Sequence, residues 1–331
     1  MEEHDKHYFA DMVAKVQAKL NCLPSDSVIR QYFPDSRLDG ISRKIADTTC
    51  KDLEWAYWQP FFLFLHESSP RRITALEDDL RLVTAHTRQG ATKICEFLAD
   101  ESESTNPWTP GLFEVFAKAA LLRCNSVSVD SLDWPLPNGR EVDARVKIGK
   151  LAICLEVTTL GESDAAKSRW QNHLESTNPV FIESQDAYSP GRRLYGKVYY
   201  KIAPESKLDN SQLSLDSPNL LLIGLFPRTT DMTPSSPSIR WALDELFASQ
   251  PTGNKSPISL EAFLRSQSHN STDVLGELLA APSKVSGIFL FQGYKLGEAR
   301  INYNATKGFR LSHTKMALFE RLFSRSPLYC P

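Results

Sequence analysis

Between Arg140 and Thr159 the chain alternates apolar and polar residues on both sides of Gly149-Lys150, and this stretch limits the fold more than any other. A two-residue turn that begins with Gly suits a type II′ hairpin, and the flanking alternation is the strand signal. With Gly149-Lys150 at the turn, Ile148 faces Leu151, and the same register sets Asp143 opposite Glu156. Side chains alternate across a strand with period two. One face therefore carries Val142, Ala144, Val146 and Ile148 with Leu151, Ile153, Leu155 and Val157. The other carries Glu141, Asp143, Arg145 and Lys147 with Ala152, Cys154, Glu156 and Thr158.

Two carboxylates facing each other across antiparallel strands stand about 5 Å apart and destabilise the sheet unless neutralised. At an effective dielectric of about 20 their repulsion is roughly 3 kcal/mol. A divalent cation converts that penalty into a binding site, because hard ions such as Mg²⁺ take one or two protein carboxylates and complete their shell with water and phosphate oxygens. The plainer reading is that Arg145 or Lys147, on the same face, neutralises the pair.

Upstream, Phe113, Phe116, Ala117, Ala120 and Leu121 recur at helical spacing after Pro110, and Glu114 lies beside that stripe. An acid early in a helix also favours the helix dipole, so its spacing alone does not assign it a role. Downstream, Gly191 to Ile202 reads as a helix with Lys197 and Lys201 at i, i+4, a like-charge pair more at home beside a polyanion or a carboxylate cluster. Asn219 to Phe226 is nearly continuously apolar, as expected of a buried parallel strand. With Ser126 to Asp133 as the first strand, the order from 110 to 226 is helix, strand, hairpin, helix, strand.

That order, with these acids, resembles the PD-(D/E)XK nuclease superfamily. The resemblance implies an α/β fold of restriction-endonuclease-like type, a mixed central sheet flanked by helices. It further implies that Glu114, Asp143 and Glu156 bind Mg²⁺ or Mn²⁺ and that the chain hydrolyses phosphodiesters in nucleic acid, DNA in preference to RNA. The family phrase becomes Asp143…Glu156-Val157-Thr158, with Thr158 where the lysine usually stands. Some members carry Glu-X-Thr and draw the lysine from another element, for which Lys197 and Lys201 are the natural donors. In this scheme the metal polarises a phosphoryl oxygen and acidifies a water molecule, a lysine stabilises the developing charge, and Thr158 hydrogen-bonds water. The alternative expectation is a nuclease-like fold without catalysis, serving as a nucleic-acid or protein binding module, and Thr158 is the residue that favours it.

The 331 residues suffice for one large or two modest domains, and 41% hydrophobic with 24% charged residues belongs to ordinary globular proteins. Residues 1 to 105 read as a helical N-terminal domain, with apolar spacing over Tyr8–Leu20, Leu53–Leu65, Ile73–Thr87 and Ala91–Ala99, and 106 to 331 as the nuclease-like domain. The acidic stretch Asp100 to Pro107 is the expected boundary. Trp55, Tyr57, Trp58, Phe61, Phe62 and Phe64 are at helical spacing and read as core rather than as a base-stacking surface. Six cysteines form no Cys-x-x-Cys pair, which argues against a zinc ribbon, and no phosphate-binding glycine motif is present. No signal-peptide pattern opens the chain, and Phe61 to Leu65 is too short to cross a bilayer, so the expectation is a cytoplasmic protein without a membrane partner, a homodimer being among the assemblies left open. Net charge is −2, yet Lys284, Lys295, Arg300, Lys307, Arg310, Lys315, Arg321 and Arg325 face only Glu298 and Glu320 in the last segment, a basic stripe suited to a phosphate backbone.

Overall fold

The computed structural model describes residues 3–47, 60–87, 108–160, 189–203, 210–226, 233–248, 259–266 and 272–324. The chain divides into two compact units, Met1–Ala119 with Pro327–Pro331, and Ala120–Ser326. The stretch 100–107, expected as a boundary, lies outside the described residues, as do Trp55, Tyr57, Trp58 and the helix expected at 91–99.

The first unit is helical in its described residues: α1 (Glu3–Asn21), α2 (Val28–Tyr32), α3 (Asp35–Asp47), α4 (Pro60–Glu67), α5 (Pro70–Thr84) and most of α6 (Trp108–Leu122). Helix starts follow local chemistry. Ser69 caps α5 by accepting the N–H of Arg72, with Pro70 in the first turn, where its missing N–H costs nothing. Met12, Val16 and Leu20 of α1, Leu38 and Ile41 of α3, Phe61, Phe62 and Leu65 of α4, and Ile73, Leu76, Leu80 and Val83 of α5 are buried. Phe61 and Phe62 thus belong to a core, and Phe33 meets Phe61 edge-on at 5.7 Å. Glu77 is buried in this unit and caps α2, accepting from Ser27 Oγ at 2.8 Å and from the N–H groups of Val28 at 2.8 Å and Ile29 at 3.0 Å.

The second unit is built on one six-stranded mixed sheet in the order β1-β2-β3-β4-β5-β6: β1 (Ser128–Pro135), β2 (Glu141–Ile148), β3 (Leu151–Leu160), β4 (Asn219–Leu225), β5 (Val285–Gln292) and β6 (Lys295–Ile301). β1 to β3 form an antiparallel meander, β3, β4 and β5 are parallel, and β6 returns antiparallel. Parallel neighbours need crossovers. α7 (Ser189–Ile202) lies between β3 and β4, and α8 (Pro237–Leu246), α9 (Leu260–Ser266) and α10 (Thr272–Ala280) between β4 and β5.

β4 is buried along its whole length, as its apolar run requires. Its Leu221, Ile223 and Leu225 join Ile288 and Leu290 of β5 in a core with Leu194, Tyr195 and Val198 of α7 and Ile239 and Leu243 of α8. On the other face of β5, Phe289 and Phe291 meet Phe319 and Phe323 of α11 (His313–Ser324) at ring distances between 5.6 and 6.3 Å. Gly287 admits the close approach of α11, because a Cβ there would stand 2.8 Å from Met316 Cε and 2.9 Å from the Arg300 carbonyl. The α/β class expected from sequence is what the second unit has.

Candidate functional site

The hairpin folds about the expected turn. Gly149 has φ of 62°, Lys150 is not among the positive-φ residues, and Ile148 faces Leu151, as a type II′ connection demands. Nothing stands within 4 Å of a Cβ built on Gly149, so the backbone conformation, and not space, calls for glycine. Paired positions run from Ile148↔Leu151 to Ala144↔Leu155. Just past them the Asp143 carboxylate accepts the Val157 N–H at 2.7 Å, standing in for a main-chain acceptor. This holds the carboxylate at the border of β2 and β3.

The second loop of the meander decides which acids meet. Pro137-Asn138-Gly139 turns the chain, with Gly139 at φ of 79° and the Leu136 N–H donating to the Arg140 carbonyl at 2.7 Å. From that turn Trp134 pairs with Val142 and Leu132 with Ala144, which places Asp133 opposite Asp143. Carboxylate oxygens of the two lie within 4.8 Å of each other. Asp133 and Asp143 are therefore facing acids across β1 and β2, with about 3 kcal/mol of repulsion at an effective dielectric of about 20. Asp133 is buried and carries φ of 53°, a left-handed conformation that Asp tolerates better than most side chains and that concentrates at functional sites.

Beyond Asp133 the simple alternation fails. Val142 leaves the apolar face assigned to it and packs with Leu136, Trp134 and Cys154, while Ala144, Val146, Ile153, Leu155 and Val157 keep that face buried. The second face of β3 is not solvated either, because α7 packs on it: Cys154, Glu156 and Thr158 are all buried. Burial foremost pushes the Cys154 thiol up to about 11.

Glu156 meets a cation. Lys201 of α7 donates from Nζ to Glu156 Oε1 at 2.5 Å, with only 13% of the lysine side chain and 4% of the glutamate exposed. Burial acts to lower the Lys201 pKa. The charges of Glu156 and then Asp143, with the hydrogen bond to Glu156, outweigh it and hold the ammonium above the ordinary lysine value. Lys197, one turn earlier, is held below that value by burial and by the charges of Lys201 and Arg193. The two expected lysines thus differ: Lys201 is fixed on the acids and Lys197 is not driven toward its charged form. Arg145 and Lys147, the plainer candidates for neutralising the pair, turn elsewhere. Lys147 Nζ pairs with Asp130 at 2.8 Å, and the Arg145 guanidinium lies 4.4 Å from the Trp134 ring centroid. Glu114 is on the part of α6 that belongs to the first unit, ion-paired with Lys118, whose side chain is buried.

Asp133 was not among the residues singled out from sequence. The signal was present: Pro137-Asn138-Gly139 reads as a three-residue hairpin loop with Gly at its left-handed position, and counting back from Leu136 opposite Arg140 sets 133 against 143. Among the described residues no helix is long and apolar enough to cross a membrane. Comparison with known proteins returned no family model that matches, and no match among curated proteins or solved structures.

Proposed function

We propose that the second unit is the metal-dependent nuclease domain suggested by its sequence, hydrolysing phosphodiester bonds in nucleic acid, with DNA the favoured substrate. The observation that carries this reading is the facing pair Asp133 and Asp143. Two oxygens bound to one Mg²⁺ at about 2.1 Å stand at most about 4.2 Å apart, so small side-chain rotations let both carboxylates hold one ion. The donor set suits a hard cation, since it offers carboxylate oxygens and neither thiolate nor imidazole. A divalent ion held there supplies Lewis-acid polarisation of the phosphoryl group and acidifies water.

The chain's own residues do the rest. The Val157 N–H orients Asp143. Lys201, charged and fixed by Glu156, offers a preorganised cation to a phosphate whose negative charge grows in the transition state. In this reading Lys201 stands in for the lysine that Thr158 replaces, and Glu156 positions that lysine instead of ligating the ion. The order α6, β1 to β3, α7, β4, with β4 parallel to β3, supports the restriction-endonuclease-like version of the α/β sheet.

The deciding experiment incubates the full chain with single-stranded DNA, duplex DNA and RNA in Mn²⁺, beside Asp133→Asn and Asp143→Ala. Cleavage by the wild type and its loss in both variants is expected. Equal cleavage by Asp133→Asn and wild type overturns the metal-site reading, and Mn²⁺ binding without cleavage of any substrate replaces the enzyme with a binding module.

A further inference from the structure

The loop from Asn302 to His313, which joins β6 to α11, is built rigidly around an outward-facing tyrosine. Asn302 is buried and uses its whole amide on the backbone: Nδ2 donates to the carbonyls of Pro282 at 3.0 Å and Val285 at 2.8 Å, and Oδ1 accepts the Asn304 N–H at 3.0 Å. The Asn302 N–H donates to the Ser286 carbonyl at 3.0 Å, and the Thr306 N–H to the Ser283 carbonyl at 2.9 Å. Between these anchors Tyr303 is 61% exposed, the most exposed large apolar side chain among those described. Its hydroxyl lies 3.1 Å from His313 Nε2 and the two rings are 5.4 Å apart, so the phenol is held in place while its outer face meets water.

The charge of this loop has one sign. No acid occurs from Ala299 to Phe319, a stretch that contains Arg300, Lys307, Arg310 and Lys315. Lys307 and Arg310 are exposed, and Arg310 folds back on the loop, donating from Nε to the Ala305 carbonyl at 2.7 Å, which leaves its remaining N–H donors for a ligand. The loop is thus closed on itself twice, at 303 with 313 and at 305 with 310, and shows a fixed aromatic face beside two exposed cations.

An aromatic face bordered by cations matches the two recurring parts of single-stranded nucleic acid, an unpaired base and its flanking phosphates. We infer that this loop binds single-stranded nucleic acid, with a base stacked on Tyr303 and phosphates on Lys307 and Arg310. In a duplex all base faces but those of the two terminal pairs are covered by stacking, whereas a single strand can offer a face at every nucleotide, so the surface favours single strands over duplex of equal length. The inference does not depend on hydrolysis.

Fluorescence anisotropy of a labelled oligothymidylate in EDTA tests it, with the full chain, Tyr303→Ala, Tyr303→Phe and Lys307→Ala, each checked for an unchanged thermal midpoint. Stacking of one base is expected to make Tyr303→Ala bind about 5- to 100-fold more weakly, and Tyr303→Phe within about twofold of wild type. Lys307→Ala is expected to reduce the slope of log affinity against log salt by about 0.7, the effect of one phosphate contact on a single strand. EDTA withholds divalent ions, so loss of binding is read separately from loss of hydrolysis. Wild-type affinity in Tyr303→Ala, equal affinity for duplex, or binding to phosphatidylserine vesicles with none to the oligonucleotide overturns the inference.

Discussion

Replacing Lys201 by methionine removes the cation that faces Glu156 while nearly preserving side-chain volume. The pair is almost out of solvent, with 13% and 4% of the two side chains exposed at a contact of 2.5 Å, so screening by water is weak. Breaking a buried pair by deleting one partner costs about 3–5 kcal/mol, because the remaining charge stays in a medium that solvates it poorly. Glu156→Leu is expected to cost a similar amount, whereas Lys201→Met combined with Glu156→Leu returns to within about 1–2 kcal/mol of wild type, since apolar replacement of both partners removes the desolvation penalty as well. The pH profile follows from the raised pKa of Lys201. A group whose pKa is higher folded than unfolded contributes fully below its unfolded value, about 10.4 for lysine, and loses that contribution as pH rises through the folded value. The difference between wild type and Lys201→Met therefore stays constant from neutral pH to about 10 and closes above it. Urea unfolding of the four proteins, followed by circular dichroism from pH 4 to 11, measures this. A single-variant cost below about 1 kcal/mol, typical of exposed pairs, or strict additivity in the double variant would refute the reasoning.

Three further outcomes are expected. Ellman's reagent at pH 8 modifies exposed Cys22 rapidly and Cys154 slowly, because burial keeps the latter a thiol up to about 11; equal rates by peptide mapping would mean that the second face of β3 is open. Gly287→Ala lowers stability by about 1–3 kcal/mol through the clash with Met316 and the Arg300 carbonyl, and an unchanged thermal midpoint would contradict the close packing of α11. Glu77→Ala in the first unit strips the acceptor from Ser27 Oγ and the N–H groups of Val28 and Ile29, at a cost of about 3 kcal/mol in urea titration; a loss below about 1 kcal/mol would mean that water replaces it freely.

What the sequence determined by itself was local. Gly149-Lys150 and the alternation around it specified the β2–β3 hairpin and its register, because turn geometry and a period of two act over a few residues. The apolar run at 219–225 announced a strand buried on both faces, and helical spacing placed α6 and α7. What only the tertiary structure decided was which charges meet. Asp143 stands opposite Asp133 because β1 joins the same sheet on its other side, and the left-handed backbone of Asp133 is an event that a pattern of alternation does not encode. Glu156 is paired with Lys201, 45 residues away, because α7 packs over β3, and the reach of a lysine across a helix–sheet interface depends on that packing and on nothing in either segment alone. Periodicity fixes the face a side chain takes, whereas the neighbour it finds there follows from how distant segments cover one another.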